Sequence, residues 1–382
     1  MNQALYRRSI NVIRDNQSNW GSYIASPAFP TYHYCWLRDG SFIAHAMDKA
    51  GEHASAAAYY RWVDRTILGY AAKVDDLRRM MAQGKTPGKD EVLHTRFSLD
   101  GKEVYVDDTW GNFQVDGYGT WLWALAEHVR MTSDVSILNE VSGSIELTLD
   151  YLALVWKLPN YDCWEEHPEF VHPYSLSAVY GGFQAIASLI TDGIYPASSI
   201  PAAQLAGEVK DYVFAHGIVD GRLMKMIQPE TMGTPAVPVH DSGVDASLMA
   251  AVFPYGMLSL DDDTARATMH AIEQELLRPD GGVYRYRADV YYGGGEWVLL
   301  TAWLGCIFAQ TGRLAEAETL CQWIESCAAD NGELPEQVSR HMLFPEYYQP
   351  WVDKWGPLAS PLLWSHAMYI LLVKAIEEGN LK

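Results

Sequence analysis

The predicted fold rests on the stretch Gly51-Glu-His-Ala-Ser-Ala-Ala-Ala-Tyr-Tyr-Arg-Trp-Val63, which recurs in weaker form as Gly312-Arg-Leu-Ala-Glu-Ala-Glu-Thr-Leu-Cys-Gln-Trp-Ile324. Glycine, two small residues and tryptophan coincide when the two stretches are placed in register. A glycine before a helical pattern is typical of a tight turn that ends one helix and begins the next. The repeat therefore predicts two helical hairpins that turn in the same way.

Helical periodicity also dominates the rest of the chain, and the strict alternation of a half-buried strand is nearly absent. The pattern predicts helices over residues 2–14, 40–50, 53–83, 116–131, 135–157, 174–193, 200–216, 245–258, 262–278, 295–311, 313–330 and 358–379. Some connections are short turns, whereas others are long loops rich in Trp, Tyr, Gly and Pro, at 15–39, 84–115, 158–173, 217–244, 279–294 and 331–357. The long loops hold nearly all the conspicuous polar and aromatic residues.

About twelve helices joined alternately by short turns and long loops are typical of an all-α barrel of helical hairpins. In a closed barrel the long loops share one face and form a pocket there. No linker rich in Ser, Gly or Pro divides the chain, so we expect one domain over residues 1–382. An open helical solenoid, whose loops form a binding edge, is the alternative.

The amino-acid composition argues against some classes of binding partner. The 382 residues are 49% hydrophobic, which is enough for a large core, and carry a net charge of −20 from 28 basic and 48 acidic side chains. Such an acidic chain is not expected to bind nucleic acid or an anionic membrane. No apolar run approaches the roughly 18 residues of a membrane span, and residues 1–10 lack the apolar segment of a secretory signal.

Cysteine and histidine usage favours a cytoplasmic protein without a metal or other cofactor. The five cysteines are odd in number and lack CxxC spacing, as expected of reduced thiols. The 12 histidines show no HxxxH or HExxH spacing. The 14 Trp and 23 Tyr residues are less ordinary, and they suit either sugar binding or the filling of a large helical core.

Two stretches place carboxylates beside groups that shape their chemistry. In Tyr161-Asp-Cys-Trp-Glu-Glu-His167, Trp164 precedes two glutamates, and in Gly332-Glu-Leu-Pro-Glu-Gln337, Glu336 precedes a glutamine. Hydrolysis of a glycosidic bond needs two carboxylates held apart across a pocket, one as acid and one as base. An apolar tryptophan and a second negative charge would both raise the pKa of Glu165. The alternative is that these glutamates are solvated surface residues.

A third cluster, Tyr32-His-Tyr-Cys-Trp-Leu-Arg-Asp39, leads directly into a predicted helix. Asp39 is placed to act as the N-cap of that helix, which would by itself explain the residue. Arg38 and Asp39 also suit the hydroxyls of a sugar, because arginine donates and aspartate accepts in charge-assisted hydrogen bonds. Both interpretations stay open at this point.

Two more clusters combine polar and aromatic residues in loops. In Thr109-Trp-Gly-Asn-Phe-Gln-Val-Asp-Gly117, Asp116 is placed to cap a helix, whereas Trp110 and Gln114 have no obvious core role. The stretch Gly281-Gly-Val-Tyr-Arg-Tyr-Arg-Ala-Asp-Val-Tyr-Tyr-Gly-Gly-Gly-Glu-Trp297 packs arginines and an aspartate among four tyrosines. Its glycines do not form a dinucleotide fingerprint, because no strand precedes them and their spacing is wrong.

In order and in spacing, these clusters resemble the glucoamylase family of glycoside hydrolases, family 15, from about residue 23 to residue 375. The matching segments include Tyr-x-Tyr-x-Trp-x-Arg-Asp, Trp-Gly-x-x-Gln-x-Asp-Gly and Trp-Glu-Glu. Each motif alone is moderately specific, but together they cover most of the chain in the family's order. The resemblance implies an (α/α)6 barrel and an exo-acting, anomer-inverting α-glucoside hydrolase that releases β-glucose from the non-reducing end.

The resemblance also implies a role for each matching residue. Glu165 resembles the general acid, Glu336 the general base, and Glu166 the neighbour that holds the next sugar. Arg38 and Asp39 would bind the 4- and 6-hydroxyls of the terminal glucose.

The other matching residues would line or support the sugar subsites. Tyr32 would lie beside the catalytic water and the base, Trp110 near the acid, and Arg285 at the hydroxyls of the first subsites. The residues expected to wall or support the site are Trp36, Gln114, Trp164, Trp297 and Ser365.

The chain departs from the family pattern in ways that bear on its substrate. Many members carry an N-terminal β-sandwich or a C-terminal starch-binding module, and we expect neither here. Cys163 stands where fungal glucoamylases have an aliphatic residue, at the edge of the outer sugar site. A small α-glucoside such as isomaltose, maltose or a short oligosaccharide is therefore the expected substrate, with its linkage left open.

Two other activities and an inactive protein are the alternatives. One is an α,α-trehalose hydrolase, which belongs to the same family. Another is a phosphorolytic relative, which would have a phosphate site in place of the base; the presence of Glu336 argues against it. From a different class, an inactive carbohydrate-binding protein would keep the barrel without the reaction.

Overall fold

The computed structural model describes residues 1–104, 111–231 and 233–381. Within these ranges the α-helices are α1 (Gln3–Asp15), α2 (Leu37–Lys49), α3 (His53–Leu68), α4 (Ala71–Ala82), α5 (Asp116–Thr132), α6 (Ser136–Glu140), α7 (Ser142–Val155), α8 (Pro173–Thr191), α9 (Ala202–His216), α10 (Asp263–Glu275), α11 (Val298–Gln310), α12 (Leu314–Cys327), α13 (Tyr348–Trp355) and α14 (Leu363–Gly379). Short strands form four antiparallel pairs: β1 (Cys35–Trp36) with β2 (Arg96–Phe97), β3 (Ile218–Val219) with β4 (Arg222–Leu223), β5 (Ile227–Gln228) with β6 (Val237–Pro238), and β7 (Glu296–Trp297) with β8 (Gln337–Val338).

The helices fall into two layers according to how much of their surface is apolar. Helices α2, α5, α8, α11 and α14 are buried on nearly every side, and α11 is buried without a break from Val298 to Ala309. A helix that is apolar all round must be surrounded by other elements. By contrast α10 buries one stripe only, at Ala265, Thr268, Met269, Ala271 and Ile272. Among the described residues, no helix has the length and apolar content to cross a membrane.

The inner elements form a closed ring. Around it α2 packs against α5, α5 against α8, α11 against α14, and α14 against α2. A 3-10 segment, Ala246–Ala251, takes the place between α8 and α11 and contacts both. Outer helices alternate with inner elements along the chain, so six helical hairpins close into an (α/α)6 barrel. The predicted barrel is confirmed, and the open solenoid is wrong.

The fourth inner element along the chain is not the α-helix predicted over residues 245–258. The side chain of Asp245 accepts a hydrogen bond from the Ser247 amide at 2.8 Å, which favours a tight turn at the start of the segment. Pro254 then lacks the N–H needed to continue a helical ladder, and Gly256 follows with a φ of 63°. A short 3-10 segment therefore completes the ring.

Other predicted helices differ in extent. The segment 53–83 is broken at residues 69–70 into α3 and α4, and the segment 135–157 is broken at Val141 into α6 and α7. Helix α13 lies in a stretch predicted to be a loop. None of its residues is buried, so no core-facing stripe distinguishes it in the sequence.

Neither Asp39 nor Asp116 caps its helix, so that interpretation is wrong. Helix α2 begins at Leu37 and α5 begins at Asp116 itself, which places both aspartates in the first turn, and neither helix has a side-chain cap. Both carboxylates lie beside the guanidinium of Arg38, at 3.4 Å from Asp39 and 3.0 Å from Asp116.

The repeated stretches do form equivalent hairpins. Gly51 and Gly312 follow α2 and α11 with φ of 84° and 80°, a left-handed conformation that glycine adopts without strain. Trp62 on α3 and Trp323 on α12 are both buried beneath long loops. Trp323 packs so closely on Gly281 that a Cβ there would lie 2.7 Å from the ring. The repeat thus fixes the turn and places a buried tryptophan against a long loop.

The long loops enter the inner elements at their N-terminal ends, and therefore on one face of the barrel. Strand pairing ties these loops together, because Trp36 pairs with Arg96 and Trp297 pairs with Gln337. Residues that are far apart in sequence consequently meet above the ring.

Candidate active site

A cavity of about 810 Å³ lies among these loops. Ten of the predicted site residues line it: Tyr32, Trp36, Arg38, Asp39, Trp164, Glu165, Glu166, Arg285, Trp297 and Glu336. Gln114 and Ser365 are buried but do not line the cavity. Trp110 lies outside the described residues, so its predicted place near the acid stays a prediction.

Arg38 and Asp39 form a fixed polar corner of the cavity. Arg38 Nη1 donates to Gln114 Oε1 at 2.8 Å and to Asp116 Oδ2 at 3.0 Å, which holds the guanidinium in place. Asp39 Oδ2 makes no hydrogen bond to the described residues, although Arg38 Nε lies 3.4 Å away. Burial raises the pKa of Asp39 to about 6, with Glu165 and Asp116 adding to the rise and Arg38 opposing it. This corner can accept hydrogen bonds from sugar hydroxyls.

Glu165 is held at the cavity by a tight turn. Its amide donates to the Asp162 carbonyl at 3.0 Å, and its backbone adopts a left-handed φ of 67°. Trp36 Nε1 donates to Glu165 Oε1 at 2.8 Å. The side chain therefore has a defined orientation, set by a residue 129 positions earlier.

Glu336 lies at a different part of the wall and is 4% exposed. Its Oε1 accepts a hydrogen bond from Tyr32 Oη at 3.1 Å, and Tyr32 Oη lies 2.9 Å from Tyr291 Oη. Its Oε2 makes no hydrogen bond to the described residues. Burial raises the pKa of Glu336 to about 8, although the Tyr32 hydrogen bond and the charge of Arg285 act to lower it.

The two glutamates are linked through a pair of aromatic rings. Tyr32, which contacts Glu336, packs edge-to-face on Trp36, which contacts Glu165, with ring centroids 5.7 Å apart. The acid and base candidates are thus positioned by one short segment before α2.

The outer wall combines aromatic rings with a buried arginine. Trp164 and Trp297 lie with ring centroids 5.5 Å apart, and the Arg285 guanidinium lies 5.2 Å and 5.0 Å from their ring centres. Arg285 is paired with both oxygens of Asp289. Glu166, 3.6 Å from Arg285, also accepts from Tyr286 Oη at 2.6 Å. The wall offers flat apolar faces and charged edges.

Further residues of the wall were not among the predicted site residues. They include Tyr34, Arg96, Tyr291, Trp351, Lys354, Trp355 and Trp364. Arg96 belongs to no motif; its guanidinium lies 4.6 Å from the ring centre of Tyr34 and 5.3 Å from that of Trp36. The pairing of β1 with β2 brings it to the cavity. The tryptophans of α13, in contrast, stand in an aromatic-rich stretch that draws attention in the sequence.

Aromatic rings with polar edges suit the C–H faces and hydroxyls of a pyranose, and carboxylates on separate loops suit acid–base cleavage of a glycosidic bond. A cavity of this kind at the loop face of a helical-hairpin barrel defines the class of protein as a glycoside hydrolase. The chain belongs to glycosyl hydrolases family 15, whose sequence pattern matches residues 1–318.

Known proteins resemble nearly the whole chain. An isomaltose glucohydrolase of Kribbella flavida is 40% identical over 370 residues, which cover 96% of this chain and 91% of that protein. The solved structure of a glycosidase variant in complex with glucose has a TM-score of 0.90 at 39% identity, and the match covers 98% of this chain and 96% of that one. A bacterial glucoamylase complexed with acarbose, at 19% identity and a TM-score of 0.73, shares the fold over 99% of this chain and 56% of its own.

Proposed function

We propose that the protein is an exo-acting, anomer-inverting hydrolase of short α-glucosides that releases β-glucose from the non-reducing end. One observation carries the proposal: Glu165 and Glu336 come from separate loops, line the same cavity and are each oriented by a hydrogen bond from the segment before α2. Such a pair suits a reaction that needs an acid on one side of the bond and a base on the other.

Glu165 is the proposed general acid. In its protonated form it gives a proton to the glycosidic oxygen as the bond to the leaving sugar breaks. Glu166 lies next to it with its carboxylate held by Tyr286, and it is the proposed ligand of that leaving sugar.

Glu336 is the proposed general base. Its Oε2 has no hydrogen-bond partner among the described residues, which suits an atom that takes a proton from water. That water attacks the anomeric carbon from the face opposite the leaving group, so the anomer is inverted. Inversion requires carboxyl groups about 6.5–9.5 Å apart, with room for the water between them.

Arg38 and Asp39 are the proposed ligands of the terminal glucose. The Asp39 carboxylate accepts from its hydroxyls, while Arg38, fixed by Gln114 and Asp116, holds the aspartate in place. Isomaltose is the favoured substrate, because the similar isomaltose glucohydrolase matches nearly end to end. Maltose and α,α-trehalose are the competing substrates.

The test compares Glu165→Gln and Glu336→Gln with the wild type on isomaltose, maltose, kojibiose, nigerose and trehalose. Each substitution keeps the shape of the side chain but removes its acid–base function, which contributes typically about 10²–10⁴-fold. Glu169→Gln is the matched control, since Glu169 is exposed four positions after Glu165. Turnover at the wild-type level in either active-site variant would refute the assignment.

The same wild-type reaction, followed by proton NMR, tests the stereochemistry. Early appearance of β-glucose from an α-glucoside is expected, and α-glucose appearing first would exclude inversion. Release of glucose from none of the disaccharides would instead support the inactive carbohydrate-binding barrel.

A further inference from the structure

A buried lysine lies behind the loop that carries the proposed acid. Lys225, between β4 and β5, is only 5% exposed and does not line the cavity. Its Nζ lies 3.2 Å from Asp245 Oδ2, and 3.6 Å from both Asp162 Oδ2 and Glu166 Oε2. It also lies 3.6 Å from the ring centre of Tyr286. The proposed reaction gives this ammonium group no role.

Two of these carboxylates hold the residues on both sides of Glu165. Asp162 Oδ1 accepts hydrogen bonds from the amides of Trp164 and Glu166, each at 2.9 Å. Asp245 accepts from Trp164 Nε1 at 3.0 and 3.1 Å with its two oxygens. Lys225 therefore lies within 3.6 Å of the two carboxylates that anchor this turn, Asp162 and Asp245, and of Glu166 within it.

The turn needs such anchoring because its backbone is strained. Glu165 has a φ of 67°, a left-handed conformation that is unfavourable for a residue with a Cβ. Such a conformation persists only where surrounding contacts fix it. Here the contacts converge on Asp162 and Asp245.

The anchoring carboxylates in turn need a cation. Three negative groups lie within 3.6 Å of the Lys225 ammonium. Arg285 lies equally close to Glu166 but is paired with both oxygens of Asp289, whereas Asp162 and Asp245 both face Lys225. Burial alone would lower the pKa of Lys225, but Asp245, Asp162 and Glu166 raise it above its ordinary value. The lysine thus stays charged and offsets the repulsion among the three carboxylates.

We propose that Lys225 is the positioning residue of the acid loop, which sets the orientation of Glu165 toward the leaving group and of Glu166 toward the leaving sugar. The inference rests on the proposed function, since it acts through the acid assigned there. It predicts an effect that depends on the leaving group, because only a poor leaving group needs the proton of Glu165.

The experiment compares Lys225→Met and Lys225→Arg on the best disaccharide and on α-glucosyl fluoride. Fluoride departs with the bonding electron pair and needs no proton from Glu165, and it leaves no second sugar for Glu166 to hold. In Lys225→Met we expect kcat on the disaccharide to fall at least about 100-fold, within the range of general acid catalysis, and KM to rise. The rate on the fluoride should stay within about fivefold of the wild-type rate, a small change compared with the roughly 10²–10⁴-fold contribution of general acid catalysis. Lys225→Arg, which keeps the charge, should restore most of the disaccharide activity.

Arg313→Met is the matched control. Arg313 forms an ion pair with Glu273 at 2.8 Å at the turn between α11 and α12, on the opposite face of the barrel. Its loss should leave the ratio of the two rates unchanged. Equal losses on both substrates in Lys225→Met, or unchanged rates on both, would overturn the proposal.

A second variant covers the case in which Lys225→Met does not fold. Asp245→Asn removes the carboxylate nearest to Lys225, at 3.2 Å, and replaces one of the two oxygens that accept from Trp164 Nε1 by an NH2 group. Because this loosens the anchoring of Trp164, the variant should also lower the disaccharide rate selectively. Equal effects on both substrates would again overturn the positioning role. A wild type inactive on both substrates, or Glu165→Gln with full disaccharide activity, would instead refute the proposed function itself.

Discussion

Glu336 has one oxygen in a hydrogen bond with Tyr32, while the other makes none to the described residues. Its burial favours the protonated form, whereas the proposed role as general base requires the ionised form, which takes a proton from water. The hydroxyl of Tyr32 and the guanidinium of Arg285 both favour the ionised form. At the residue scale, the chemistry of the site depends on this balance.

Replacing Tyr32 by phenylalanine should move the acid limb of the pH profile to higher pH. The substitution removes a hydrogen bond to a charged group, worth about 1.5–3 kcal/mol, which corresponds to a rise of about one to two pH units in the pKa of Glu336. A base is active above its pKa and is lost as the pH falls through it. We therefore expect kcat/KM of Tyr32→Phe to fall most at low pH, as measured by its pH dependence.

Tyr347→Phe serves as the control, because Tyr347 is 45% exposed and does not line the cavity. Its profile should coincide with that of the wild type. An unshifted acid limb in Tyr32→Phe would contradict the role of its hydroxyl in setting the pKa of Glu336.

At the scale of elements, the inner helices provide a rigid ring and the loops carry the site. Each long loop ends at the N-terminus of an inner element, and short strand pairs join the loops in twos. Glycines allow this arrangement in two distinct ways: some take up a left-handed turn in open space, and others let a loop approach a helix closely. Replacement by alanine should therefore destabilise the protein by different amounts at the two kinds of glycine.

Gly21→Ala should destabilise the protein more than Gly51→Ala. Both residues have positive φ, 103° and 84°, so each alanine incurs a strain of about 1–2 kcal/mol. At Gly51 an added Cβ meets no atom of the described residues within 4 Å, whereas at Gly21 it would lie 2.2 Å from the Ala58 carbonyl oxygen. Overpacking there adds about 1–3 kcal/mol.

Urea unfolding of both variants measures this difference in stability. The urea concentrations at the midpoints are comparable when the dependence of the unfolding free energy on urea is the same in both variants. Equal midpoints would show that the loop containing Gly21 can move away from α3 without a loss of stability, and would contradict its close packing on Ala58.

At the scale of the whole molecule, 48 acidic and 28 basic residues leave a net charge of −20. The chain also forms many ion pairs, such as Arg61 with Glu140 at 2.6 Å. Exposed pairs of this kind contribute little, about 0–1 kcal/mol each, whereas the excess negative charge repels itself throughout the compact state. The repulsion among negative charges should therefore determine how the stability of the protein changes with salt.

The free energy of unfolding should rise when sodium chloride is added at neutral pH. The gain is expected mainly below physiological ionic strength, because screening shortens the Debye length from about 30 Å at 0.01 M to about 8 Å at 0.15 M. Thermal or urea unfolding across this range measures it. A fall in stability with salt would mean that the ion pairs outweigh the net repulsion.

The predicted site residues that line the cavity belong to short sequence motifs. Trp164, Glu165 and Glu166 stand side by side in the sequence, and Arg38 and Asp39 likewise line the cavity as expected. The capping interpretation of Asp39 was wrong, because α2 begins at Leu37, three residues before the predicted start at residue 40, which places Asp39 in the first turn. A local pattern does not locate a helix start closely enough to exclude a cap.

By itself, the sequence determined the alternation of turns and loops, the repeated hairpin and the two glutamate-bearing loops, because each depends on residues close together in the chain. Tertiary structure alone decided which loops meet. Tyr32 contacts Glu336 across 304 positions, and Lys225 contacts Asp162 although no motif connects them. Those contacts depend on the closure of the helical ring, which brings the ends of its inner elements to one face and which no local pattern records.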